Sequence, residues 1–372
     1  MKYKIPEKNR EYILIPEKEE EILKICESNR KKREEFKKIF DFEIEKNFVI
    51  ASGHQSIFYH PGIWVKNIFL NHLTKKGYKT KFCEHDVDST DRIFFYYPNK
   101  NFKTKREFIY YNPSKIALEY IESKEIIKNE DSIKKVLERL PEGEIKERGY
   151  LFFNIFLKNL KKIPFYAESF VLSRKDFEKE CLYDSILVSE LLTSSSFYKF
   201  FTFFFINAEK ILECYNEAIL EYRRRYNIEN KIEPAPLLER KGDLIEIPFF
   251  LNLRERYRVY KKGENLVCDK FEIKLGNEKE EIFLKSLTLP LRPRSLILSM
   301  YQKIFVCDLF YHGISGKNYD EATSIFIKKL LNIEPPETGV ISLTLYLDNT
   351  QKRDFPFFFY DRSLIEGILN LK

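Results

Sequence analysis

No stretch of this chain approaches the roughly 18 consecutive apolar residues that a membrane-spanning helix needs. Its opening, MKYKIPEKNREYILIPEKEEE, lacks the apolar core of a secretion signal. A cytoplasmic location is expected, with no membrane partner. Cysteine is sparse and scattered: Cys26, Cys83, Cys181, Cys214, Cys268 and Cys307 form no C-x-x-C pair, which argues against a zinc ribbon or a disulfide framework. Cys83 and Cys307 lie inside apolar runs, where thiols are usually inert. An excess of one charge is also missing. The 64 basic residues against 57 acidic leave +7, spread along the chain, and no zinc-finger, RNA-recognition or basic-zipper pattern accompanies it, so nucleic acid is not an expected partner. The densest basic cluster, Arg223 to Arg225, closes a predicted helix, where cations suit the negative end of the dipole.

With 372 residues, 44% of them hydrophobic, the chain buries a full core as one large or two coupled domains. Its chemistry is concentrated between Phe48 and Arg92, which holds four of the five histidines. Phe48 to Ser52 reads as a buried strand stopping at Gly53. A helix follows from Pro61, which suits a first helical position because its missing N–H has no intrahelical partner there. Ile63, Trp64, Ile68, Leu70 and Leu73 form its apolar face, and Gly77 ends it. Lys79 to Glu84 is a second strand. Strand, helix, strand is the crossover unit of a parallel sheet, and its right-handedness sends both strands to one rim. His54 with Gln55, and His85 with Asp86 and Asp88, are therefore expected at the rim where open α/β sheets bind ligands. His60 stands beside the helix start, which favours an anion.

An N-terminal helical segment is expected over residues 1–46, a core domain over 47–347 and a polar, aromatic tail over 348–372. Ile93 to Tyr97 and Phe108 to Tyr111 are expected to extend the sheet. Helices are expected at Ser132 to Leu140 and Tyr150 to Leu160, and a short strand at Ala167 to Phe170. The region 176–228 reads as helical, with the aromatic run Phe200 to Phe205 packed against the sheet. Leu244 to Phe250 and Arg254 to Tyr260 alternate as an antiparallel insertion within 240–275 that would lid the site. There Glu246, Arg254, Arg256 and Arg258 are candidate substrate contacts, although a plain solvated strand face is the better account of the arginines. Further on, Ile304 to Tyr311 reads as strand or helix end, His312 follows, and Gly313 and Gly316 bracket a turn before a helix, with Asn318 and Glu321 as a capping box. The loop His312 to Lys317 would offer backbone N–H groups and Lys317 to an anion, without the Walker spacing. Ile341 to Leu347 alternates as a last strand.

Gly53-His54-Gln55, then Phe58, Pro61-Gly62 and Lys66, resembles the G-Q-Q, G-P, Y-K signature of the bacillithiol synthases, which add cysteine to a glucosamine–malate conjugate. Cys83-Glu84-His85-Asp86 is similar to their E-D-H-D segment. His312 to Gly316 with Tyr319 is similar to their G-P-G-E-x-x-Y turn, and Pro335-Pro336 to Leu345 to the strand after it. His54, Cys83 and the Ser315–Gly316 pair depart from those motifs, and no heptad repeat follows Leu347 where that family's C-terminal coiled coil would begin. The resemblance implies an α/β, Rossmann-like core related to nucleotidyl transferases and a ligase acting on a small amine, thiol or amino-acid-containing substrate. In that scheme His54 or His85 is general base, Asp86 orients an imidazole, and His60, Lys66 and Lys317 hold an anionic group, with Gln55, Asp88, His312 and Tyr319 completing the substrate site. Two alternatives stay open. One is a metal-dependent hydrolase using His54, His60, His85, Asp86 and His312, although no H-E-x-x-H is present. The other is a non-catalytic small-ligand-binding protein. A nucleotide or metal cofactor and the oligomeric state are left open as well.

Overall fold

In the computed structural model, residues 3–347 and 354–371 are described. The apolar run at Val49 becomes the strand Val49–Gln55, which extends past Gly53, so that His54 and Gln55 are its last residues. The helix Pro61–Lys75 follows, then the strand Lys79–His85, parallel to the first with Gln55 opposite His85. Six strands make this sheet, in the order Tyr12–Ile15, Thr338–Leu343, Leu309–His312, Val49–Gln55, Lys79–His85, Asp184–Leu187. Every neighbouring pair is parallel except the first. From Val49–Gln55 the chain steps outward to Lys79–His85 and Asp184–Leu187, then returns to the opposite side with Leu309–His312. The winding reverses between Val49–Gln55 and Leu309–His312, and such a reversal leaves a crevice beyond the carboxyl ends of the two strands.

Alternate side chains of these strands enter two separate cores, as the period of two requires. Ile50, Phe82, Leu309, Tyr311 and Ile341 pack with Trp64, Val65 and Ile68 of the helix Pro61–Lys75. Val49, Ala51, Cys83 and Phe310 pack on the other face with Phe326 and Ile327 of the helix Ile314–Leu331 and with Phe200, Phe201, Phe204 and Phe205. The aromatic run is thus core, as expected. Covering both faces is what lets a parallel sheet be apolar throughout.

The two strands that flank the crevice are tied together at their opposite ends. Asp308, fully buried, accepts from Arg30 Nη2 at 2.6 Å, Arg33 Nη1 at 2.6 Å and the Val49 amide at 2.9 Å. Arg33 also donates to the carbonyls of Ile304 and Phe305. Arg30 and Arg33 share one face of the helix Glu19–Phe40, so this knot joins that helix to the starts of both strands.

Several expectations are corrected. Residues 1–46 are not wholly helical, because Tyr12–Ile15 is an edge strand antiparallel to Thr338–Leu343. The strands Arg92–Pro98 and Thr104–Tyr111 do not extend the sheet but form a separate hairpin. The edge beside Lys79–His85 is taken by Asp184–Leu187, and Phe95 of the hairpin packs instead on Phe153. Asp184–Leu187 lies inside the region expected to be helical; four residues beginning Asp-Ser are too short and polar to display a strand pattern. Ala167 to Phe170 belongs to the helix Tyr166–Glu178, with Tyr166, Ala167, Phe170 and Phe177 buried at helical spacing. The antiparallel insertion is present, built on Leu244–Leu253, Glu255–Lys262, Asn265–Cys268 and Phe271–Lys274, with Leu291–Pro293 added at its edge. Of the tail, 348–353 lie outside the described residues, and Phe355 and Phe357 to Tyr360 are buried core. Among the described residues no helix is long and apolar enough to cross a membrane.

Candidate functional site

A cleft of about 510 Å³ occupies the crevice at the winding reversal. His54, Gln55, His85 and Asp88 reach it from the two neighbouring strand ends, His60 and Lys66 from the helix Pro61–Lys75, and His312 and Tyr319 from the far side. Two glycines are required by close approach. A Cβ on Gly53 would lie 2.5 Å from the Cys83 carbonyl and 2.9 Å from His85 Nε2, and one on Gly62 would lie 2.5 Å from the Leu343 carbonyl. The backbone at the cleft floor therefore packs only because these positions lack side chains.

The hydrogen bonds assign the imidazoles different tautomers. His54 Nδ1 lies 3.1 Å from the Gln55 carbonyl, which only accepts, so the proton is on Nδ1 and the lone pair is on Nε2. His60 is the reverse, its Nδ1 accepting from the Gly62 amide at 3.1 Å as the N-cap of its helix. It thus occupies a helix-start N–H that an anion was expected to take. The Gln302 amide nitrogen donates to His85 Nε2 at 3.0 Å, leaving the His85 proton on Nδ1. Burial favours the neutral form of His54, His85 and His312. It depresses His54 well below the usual imidazole value with help from Lys66. Burial also takes His85 down to about 4 against the opposing pull of Asp88, and His312 down to about 3. Gln55 Nε2 donates to Asp88 at 2.9 Å.

On the far side, the helix begins at Ile314, with Gly313 before it and no side-chain cap. The first backbone N–H groups of Ile314, Ser315 and Gly316 have no intrahelical acceptor, and they border the cleft. The expected loop His312 to Lys317 is thus mostly helix, and Asn318 is not a cap; its amide pairs with the backbone of Tyr3. Lys317 does not hold an anion either, since its Nζ donates to the carbonyl and hydroxyl of Thr338. Behind His312, Asp320 accepts from Lys303 at 3.0 Å through both oxygens, from Ser299 at 3.0 Å and from Thr338 at 2.8 Å. Burial raises the Asp320 pKa, but Lys303, His312 and Lys317 outweigh it and hold the carboxyl far below its ordinary range.

Lys66 is in the cleft wall as expected, 4% exposed, but it is not a fixed cation. Its Nζ has one acceptor, the Gly53 carbonyl at 2.8 Å, and no carboxylate among the described residues. Burial brings its pKa down to about 7, so at neutral pH about half of it is a free amine.

Other expected residues lie elsewhere. Asp86 does not orient an imidazole: it is buried against Ser189, whose amide donates to it at 2.9 Å and whose hydroxyl donates as well, and burial raises its pKa to about 6 despite those bonds. Arg254 is 70% exposed at a hairpin turn with a positive φ of 70°. Arg256 donates to the Val87 carbonyl at 2.6 Å and stacks on Phe250, bracing the loop that carries Asp88 from outside the cleft. Glu246 is buried with Arg294, and Arg258 is half-exposed near it. The insertion thus buttresses the site instead of lidding it. Gln302, Ser299 and Asp320 were not anticipated. Gln302 sits on a π-helical turn, Gln302–Val306, where sequence periodicity is uninformative. Among the described residues no group of three or more His, Cys, Asp or Glu side chains is arranged to hold a metal ion, so the hydrolase alternative has no ligand set there. No protein-family model matches this chain, and neither does any curated protein sequence.

Proposed function

We propose that this chain is a small-molecule ligase with a Rossmann-like core, of the bacillithiol-synthase-like group. It would join a thiol- or amine-bearing amino acid to a partner that carries an oxyanion. One observation supports this reading above others. Gly53, His54, Gln55, Gly62, Lys66, His85, His312, Gly313 and Tyr319, nine of the residues that carry the resemblance, border a single cleft, whereas Phe58, Pro61, Cys83, Glu84 and Asp86 of the same motifs do not; the nine span residues 53 to 319. His54 is the base in this scheme, because its Nδ1–H is held by the Gln55 carbonyl and its Nε2 lone pair is left for a substrate proton. His85, engaged by Gln302, orients substrate, and the uncapped helix start at Ile314 receives the oxyanion.

The test is condensation of cysteine with the glucosamine–malate conjugate by the purified full chain, followed by mass spectrometry. Product from the wild type and a roughly 10²- to 10⁴-fold loss in His54→Ala are expected. No product from folded protein, or an unaffected His54→Ala, would count against the reading.

A further inference from the structure

We propose that Lys66 is a nucleophilic amine that forms an imine with a small 2-oxo acid bound in the cleft. This goes beyond the ligase reading and does not depend on it. A lysine removed from water must either pair with an anion or give up its proton. Lys66 is 4% exposed and has only the Gly53 carbonyl as partner. Of the two carboxylates that line the cleft among the described residues, Asp320 is already held by Lys303, Ser299 and Thr338, and Asp88 accepts from Gln55. Neutral His54, His85 and His312 share its cleft and supply no negative charge. Deprotonation is the outcome the surroundings favour, and a buried, deprotonated lysine in a cavity is the form that attacks carbonyl carbon.

The surroundings also select the substrate. A Cβ on Gly313 would lie 3.7 Å from Lys66 Nζ, so the amine stands beside the start of the helix Ile314–Leu331, whose first N–H groups have no side-chain cap. A compound with a carboxylate one bond from its carbonyl can place the carboxylate on those N–H groups while its carbonyl carbon meets Nζ. The Nζ lone pair then adds to the carbonyl carbon, and the carbonyl oxygen takes up one of the nitrogen's two protons to give a neutral carbinolamine. His54 Nε2 accepts the second nitrogen proton, and passing it to the carbinol hydroxyl lets water leave as the C=N bond forms. Amine plus carbonyl thus becomes imine plus water, with no other reagent consumed.

Glyoxylate with sodium cyanoborohydride tests this on the intact chain near pH 7, hydride reduction of the imine leaving a carboxymethyl group on nitrogen that peptide mass spectrometry locates. Lys66 is expected to be modified at least about tenfold faster than exposed lysines, which at this pH are almost wholly ammonium. Propionaldehyde, which has no carboxylate, should show a smaller preference. Lys66→Arg, checked for folding by circular dichroism, should lose the fast-labelled site alone. Labelling of Lys66 no faster than of surface lysines, or no labelling of it at all, overturns the proposal. Fast labelling without condensation activity would leave the imine standing and remove the ligase reading; condensation without labelling would do the opposite.

Discussion

At the amino-terminal edge of the central sheet, Asp308 is met by two guanidinium groups and a backbone amide. At the carboxyl-terminal edge, Lys66 has a single carbonyl. Both groups are buried and ionisable, near the same two strands, Val49–Gln55 and Leu309–His312. The first has its hydrogen-bonding capacity met and its charge compensated, so it holds structure. The second is under-satisfied, and a group kept that way in a cavity is available to a ligand. Between them stands the Lys303–Asp320 pair, compensated like the first but placed behind the second, where it fixes the wall on which His312 rests.

Breaking the satisfied end should have the largest effect on stability. Asp308→Ala leaves Arg33 buried without its carboxylate, and a loss of about 3–5 kcal/mol is expected in urea unfolding; a loss under 1 kcal/mol would show that the knot is not what joins the two strands. The under-satisfied end should respond with the opposite sign. Below about pH 7 Lys66 is protonated both folded and unfolded, and the folded state bears the full desolvation cost. Above that value the folded chain releases the proton, while the unfolded chain keeps it up to its ordinary value near 10.4. The unfolded state then binds more protons, so stability rises with pH, by about 2 kcal/mol between pH 7 and 9. Lys66→Met should be the more stable protein at about pH 6 and should lack this rise; matching pH profiles in the two proteins would show that Lys66 is charged in the fold. His54→Ala, at the same edge, should cost only about 1 kcal/mol, as read from the urea midpoint, while removing the proposed base. Arg254→Ala, exposed at its turn, should change stability by less than about 0.5 kcal/mol and leave condensation unaltered.

Which residues reach the cleft was largely legible from position along strands and helices. His54, Gln55, His85, Asp88, His60, Lys66, His312 and Tyr319 all border it, because a parallel crossover sends strand ends to one rim irrespective of the rest of the chain. The failures share a cause. Asp86 directly follows the strand, yet its carboxylate turns to Ser189, a partner about a hundred residues away. Lys317 looked like a loop lysine, and the helix it lies in aims it at Thr338. Asp184–Leu187 became a strand because an open edge beside Lys79–His85 was there to pair with, not because its four residues prefer extension.

Sequence alone determined the period-two and helical faces and the rim at which the histidines gather, since each follows from local sterics and the handedness of a crossover. Only the tertiary structure decided which nitrogen of each imidazole carries its proton, that His60 and Lys317 are consumed by backbone and threonine, and that Lys66 is left with one acceptor. Hydrogen-bond partners and desolvation are set by groups that the fold brings together from distant parts of the chain, and no local pattern encodes them.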